Sequence, residues 1–337
     1  MTISQRCSVS LLAGAAALLV GIGQSTAQTA SSLPLQLEAK IPLGDVRGRI
    51  DHMAIDLARQ RLFVAELGND TVAVVDLASR KVIATVAGLM EPQGVGYVPS
   101  TDALYVANAG DGSLRAFHGA DYTPAGQIAL GDDADNIRIE PTTDRVLVGY
   151  GNGGLAVIDP KSFQKTADIP LPAHPESFQL DPGSARLFVN LPGARAIAVV
   201  DRQAGKQTAS WPTTIAEGNF PMALHLAAGH VLAIFRSPAT LGVFSMKDGS
   251  LVANPPICGD ADDLFVDAKR DRVYASCGDG VLDVLGAEGG AYRRIARIPT
   301  VSGARTSLFV PELDRLFLAV RAAPGEPASI WVFRPTP

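Results

Sequence analysis

Apolar residues in this chain come in short runs separated by turn-forming residues, and the runs recur. Leu62-Phe63-Val64-Ala65 leads through a loop holding Gly68, Asn69 and Asp70 into Thr71-Val72-Ala73-Val74-Val75-Asp76. A turn at Ser79 then opens Lys81-Val82-Ile83-Ala84-Thr85-Val86. Runs of this length, rich in β-branched residues and bounded by Gly, Asn and Asp, predict three antiparallel strands. Ahead of them Met53-Ala54-Ile55-Asp56 alternates apolar with small or polar residues and reaches Leu62 through Ala58-Arg59-Gln60, which predicts a fourth.

The second strand of this unit returns at Leu104, Val146, Leu187, Val231, Val273 and Leu316, in steps of 42, 42, 41, 44, 42 and 43 residues. A period of about 40–45 without helical periodicity is that of a four-stranded propeller blade. The expected fold is therefore all-β, a seven-bladed β-propeller of four-stranded antiparallel blades over residues 28–337. After Leu316 only Ile330-Trp331-Val332-Phe333 remains as a third strand, so the last blade lacks one. Residues 36–43 are expected to supply it, because Ile41-Pro42-Leu43-Gly44-Asp45 resembles Ile128-Ala129-Leu130-Gly131-Asp132 and Pro256-Ile257-Cys258-Gly259-Asp260, read as the ends of outermost strands in blades two and five. An N-terminal strand completing the last blade would close the ring and remove a free edge.

Before the repeat, Arg6, an apolar run over residues 9–22 and the small residues Ser25-Thr26-Ala27 read as a cleavable secretory signal over residues 1–27. The run is shorter than the ~20 residues a spanning helix needs, so the mature protein is expected in the periplasm or secreted, with no membrane span. The chain carries 29 Lys plus Arg against 34 Asp plus Glu, and the signal holds only Arg6 among these. A mildly acidic chain without basic clusters excludes nucleic acid as a natural partner. The 33 Gly and 23 Pro fit a protein made of many turns.

With Leu62-Phe63-Val64-Ala65 and Leu104-Tyr105-Val106-Ala107-Asn108 followed by Gly110, the chain resembles the YVTN-repeat β-propellers of exported prokaryotic proteins. Glu91-Pro92-Gln93-Gly94-Val95 stands where that family enters its next blade. Blades three to seven keep the period and lose the Asn, as in Phe235-Arg236-Ser237. The resemblance implies a binding or scaffold role and carries no common catalytic set; fold alone does not settle function.

Aligning the blades places Asp51-His52, Gln93-Gly94, Asp135-Asn136, Glu176-Ser177, Met222-Ala223, Asp262-Asp263 and Arg305-Thr306 at equivalent entries to the channel-lining strands, with blade five taken as about two residues shorter. The candidate ligand-facing residues are Asp51, His52, Gln93, Asp135, Asn136, Glu176, Asp262, Asp263 and Arg305, an acidic rim with one histidine and one arginine. Such a rim could hold a divalent cation through carboxylate and amide oxygens, or it could be satisfied by water and loop amides. Asp76, Asp159 and Asp201 are expected to start turns, and the loops at Gly110-Asp111-Gly112, Gly151-Asn152-Gly153-Gly154 and Gly278-Asp279-Gly280 to be hairpins rather than phosphate cradles.

Cys258 and Cys277, the pair left after the signal, are expected to form a disulfide. No nucleophile elbow, Cys-x-x-Cys or His-Glu-x-x-His motif occurs, so no catalytic residues are assigned. The expectation is a monomeric, non-enzymatic binding or scaffold protein whose partner is a small molecule or an envelope protein. The alternative is a metal-dependent lactonase-like hydrolase using Glu176, Asn136, Asp51 and Asp262, disfavoured because such enzymes have six blades.

Overall fold

The structure, a computed structural model, describes residues 33–337 and, before them, only Met1, Thr2 and Ser8. The signal expected over residues 1–27 lies outside the described residues apart from those three. Over Leu33–Pro337 the strands assemble into seven four-stranded antiparallel sheets. Blade one is Met53–Asp56, Arg61–Glu66, Thr71–Asp76 and Lys81–Val86, in that order, as the repeat predicts.

The last blade has the order Ser307–Val310, Arg315–Val320, Ala328–Pro335, Leu35–Gly44. Its closing strand is the N-terminal one, with Ile41 opposite Ile330 and Leu37 opposite Phe333. Seven buried apolar clusters each join two neighbouring blades, and together they run round the ring without a gap. Leu35 lies in the cluster between blades six and seven, while Ile41 and Leu43 lie in the one between blades seven and one. One strand thus ties two interfaces.

Burial follows position within each blade. The middle strands are covered on both faces, so Leu62, Phe63, Val64 and Ala65 are all fully buried. Outermost strands such as Thr123–Ala129 are mostly exposed, which is why they carry Thr, Gln and Gly rather than a continuous apolar run.

The outermost strand of blade five differs from expectation. It is only Leu251–Ala253, and Pro256 makes an isolated bridge to Thr240 rather than ending a strand. Pro255 and Pro256 have no N–H to donate, so the ladder cannot continue through them.

Local expectations about turns hold. Asp76 accepts from the Ser79 amide at 2.6 Å, Asp159 from Lys161 at 3.1 Å, and Asp201 from Gln203 and Ala204 at 2.9 Å each. Gly112 and Gly280 have φ of 60° and 83°, the left-handed region their hairpins need. Asn108 is fully buried, accepts from the Met90 N–H and donates to the carbonyls of Val106 and Ser113, tying its strand to the neighbouring loop. Cys258 and Cys277 are joined in a disulfide, with Cα atoms 5.9 Å apart. Among the described residues no helix is long and apolar enough to cross a membrane.

Candidate functional site

The residue eleven positions before Leu62, Leu104, Val146, Leu187, Val231, Val273 and Leu316 is Asp51, Gln93, Asp135, Glu176, Phe220, Asp262 and Arg305 in turn. All seven line one cavity of about 180 Å³ at a single mouth of the channel. Their entry segments are pinned by the ends of the second strands. Asp51 N–H donates to Ala65 O at 2.7 Å and Ala65 N–H to His52 O at 3.0 Å; Glu176 and Ser177 pair with Asn190 in the same way. Gly94 is required by a close approach, since a Cβ there would lie 1.9 Å from the carbonyl oxygen of Asp135 in the next blade.

Phe220 corrects the expectation for blade five. Met222 and Ala223 are buried in the clusters on either side of that blade and do not reach the mouth. The blade is not shortened: His225 pairs with His230 across the same four-residue connection that joins Asp56 to Arg61, so the eleven-residue spacing holds without adjustment.

Of the expected ligand-facing residues, Asp51, His52, Gln93, Asp135, Glu176, Asp262 and Arg305 line this cavity. Asn136 does not. It is buried behind the ring, donating to Asp135 Oδ2 at 3.2 Å and accepting from Arg138 at 3.3 Å. Asp263 faces the channel below, a space of about 550 Å³ that it shares with His52, and accepts from the Ser307 N–H at 2.7 Å.

The mouth is mixed in charge rather than acidic with a single arginine. Arg49 stands 2.8 Å from Asp51. Asp262 is held between Arg236 at 2.6 Å and Arg305 at 2.9 Å, and Asp260 also meets Arg305, at 2.6 Å. Arg49, Asp133, His174 and Asp260 sit two residues before the ring positions, while Arg236 is the last but one residue of the second strand of blade five and Arg321 directly follows that of blade seven. Shifting the same alignment by two residues, or reading it at the far end of the second strand, exposes these positions.

Among the described residues, three carboxylates of the mouth have no cationic partner in hydrogen-bond range: Asp133, whose nearest is His174 at 3.7 Å, Asp135 and Glu176. Asp135 Oδ1 is buried with no hydrogen-bond partner, and burial, with Glu176 and Asp51 close by, lifts its carboxyl to about 7. Burial and the nearby Asp262 lift Glu176 to about 7 as well. Buried Asp51 is ion-paired with Arg49, and burial raises this carboxyl despite the opposing pull of His52 and Arg49. The His52 ring lies among three carboxylates without bonding any, at 3.7 Å from Asp51, 4.0 Å from Asp135 and 3.9 Å from Asp263. Among the described residues no group of three or more His, Cys, Asp or Glu side chains is arranged to hold a metal ion.

The fold and this ring define the class, a seven-bladed β-propeller with a polar mouth closing one end of its channel. No protein-family model matches the chain, and no curated protein matches its sequence. Among many solved chains of like fold, one titled Kuenenia stuttgartiensis hydrazine synthase is similar, with a TM-score of 0.72 at 16% identity over 90% of this chain and 97% of that one. At that identity the likeness is one of fold.

Proposed function

We propose that this chain is an exported binding protein that receives its ligand at the mouth formed by the seven entry residues. The observation that carries the reading is buried Asp135, which lines the cavity and whose Oδ1 has no hydrogen-bond partner. A buried polar atom left unpaired costs about 1–3 kcal/mol, and a ligand that pairs it recovers that cost. The leader-like residues 1–27, the disulfide and the YVTN resemblance support an oxidising, extracytoplasmic setting.

Binding rather than catalysis is the reading adopted because, among the described residues, no nucleophile, base and orienting group are aligned at the mouth. His52 lacks a hydrogen bond to any carboxylate, and Ser177 Oγ accepts from Arg138. The test is thermal unfolding of the mature protein against a mixed panel of small anions, amines, sugars and divalent cations, repeated with the Asp51→Asn/Asp135→Asn variant. At least one member is expected to raise the parent's Tm and to lose most of that shift in the variant. If none stabilises the parent, the mouth is not a binding site.

A further inference from the structure

Resting on that reading, we propose that the ligand is a small primary amine, whose ammonium group is taken between Asp135 and Glu176. The charges at the mouth pair off unevenly. Arg49 answers Asp51, while Arg236 and Arg305 answer Asp260 and Asp262. His174 Nδ1 is 2.6 Å from Gly151 O and 3.7 Å from Asp133. Arg138 lies in the channel wall below the ring, bonded to Asn136, Ile137 O and Ser177. Arg321, near Arg305 and Arg49, is not among the residues lining the cavity. What remains facing the cavity without a cation in hydrogen-bond range is half-exposed Asp133, with His174 at 3.7 Å, Asp135, with His52 at 4.0 Å, and Glu176; Asp135, from blade three, and Glu176, from blade four, are the more buried two.

The Asp135 side chain is only 8% exposed, the residue lines the cavity, and its Oδ1 has no hydrogen-bond partner. Its other oxygen receives only the Asn136 amide. Among the described residues, no side chain donates a hydrogen bond to Glu176 or forms an ion pair with it. Burying one such carboxylate is unfavourable, and two adjacent ones repel each other, so the site lacks a positive charge carrying N–H donors.

The size and the donor geometry select the cation. A cavity of about 180 Å³ suits a small group rather than a large ligand. An ammonium is a compact charge with three donors and can reach separate acceptors, whereas a divalent metal needs ligands already grouped around one point. No such group is present among the described residues. An anion would meet the two bare carboxylates while the arginines lining the cavity are committed elsewhere.

Because both carboxyls hold protons up to about 7 in the empty site, amine binding must release protons, so affinity should rise with pH. Isothermal titration calorimetry on the full mature chain, with methylamine, ethanolamine and 1,4-diaminobutane as probes, tests this. The corresponding neutral alcohols and calcium chloride serve as comparisons. At least one amine is expected to bind at pH 8, at least tenfold more tightly than at pH 6, with proton release read from buffers of different ionisation heat. Glu176→Gln and Asp135→Asn should each weaken it at least tenfold, and Glu176, which makes no side-chain hydrogen bond among the described residues, can be changed without threatening the fold. Equal binding of amines and alcohols, preference for calcium, or unchanged amine affinity in Glu176→Gln would overturn the proposal. A sugar or an anion that binds and is lost in Asp51→Asn/Asp135→Asn would remove the amine and leave the mouth as the binding site.

Discussion

Asn108 and Asp135 are both buried polar residues near the same end of their blades, and they differ in what surrounds them. The Asn108 amide spends its oxygen and nitrogen on backbone partners, so it holds structure and nothing more. Asp135 leaves an oxygen bare and keeps its proton to about 7 against a usual 3.8. A carboxyl raised on folding binds its proton more tightly in the folded state, so stability is highest below its unfolded value and declines as pH rises toward 7. Replacing it with the uncharged amide removes that decline. Asp135→Asn should therefore be more stable than the parent at pH 8, by at most about 4 kcal/mol at about 1.4 kcal/mol per pH unit, and should gain far less at pH 4. Urea denaturation at the two pH values measures the difference, and an equal gain at both would mean the carboxylate is not strained. The positions of Asp51, Asp135, Glu176, Asp262 and Arg305 were legible from spacing alone, because ring geometry converts a fixed offset into a shared location. Their partners were not. Whether Asp262 is neutralised depends on Arg236, which is contributed by the second strand of a different blade.

At the scale of elements, the blade repeat was readable wherever strands are covered on both faces, since burial forces continuous Val, Leu and Phe. It was least readable in outermost strands, where exposure relaxes the pattern and Pro255-Pro256 cut one short. The link between blades five and six is reinforced covalently. Cys258, just before the first strand of blade six, is joined to Cys277 at the end of its second strand, 19 residues on. Cys258 N–H also donates to buried Asp283 at 2.9 Å, and Arg297 pairs with the same carboxylate through two contacts of 2.7 Å. The noncovalent contacts keep the segment in place in the folded state, so the disulfide acts mainly on the unfolded chain. Closing a loop of this size contributes about 3 kcal/mol in the chain-entropy account. The Cys258→Ala/Cys277→Ala variant should fold with unchanged secondary structure and lose about that much stability in chemical denaturation. A loss below about 1 kcal/mol would show the cross-link to be redundant with the Asp283 contacts.

For the molecule as a whole, stability depends on the ring being closed, because each apolar cluster lies between blades and no blade has a core of its own. The closing strand Leu35–Gly44 is noncovalently held and contributes to two of the seven interfaces. Leu35, Ile41 and Leu43 are at most 5% exposed, and at about 2 kcal/mol for each buried side chain they account for about 6 kcal/mol. That is comparable with the whole net stability of a typical domain, about 5–15 kcal/mol. Deleting residues 33–44 should therefore abolish a cooperative unfolding transition rather than shift it, and should leave Ala328–Pro335 as an open edge prone to self-association. Loss of stability alone would not prove closure, since many deletions destabilise. A synthetic peptide of residues 33–45 added to the deleted protein separates the cases, because only a missing strand can be replaced by strand addition. Recovery of a cooperative transition with that peptide, and not with one carrying Ile41→Lys, is the expected outcome. No recovery by the unmodified peptide, or equal recovery by both, would mean that the ring does not depend on this strand for closure.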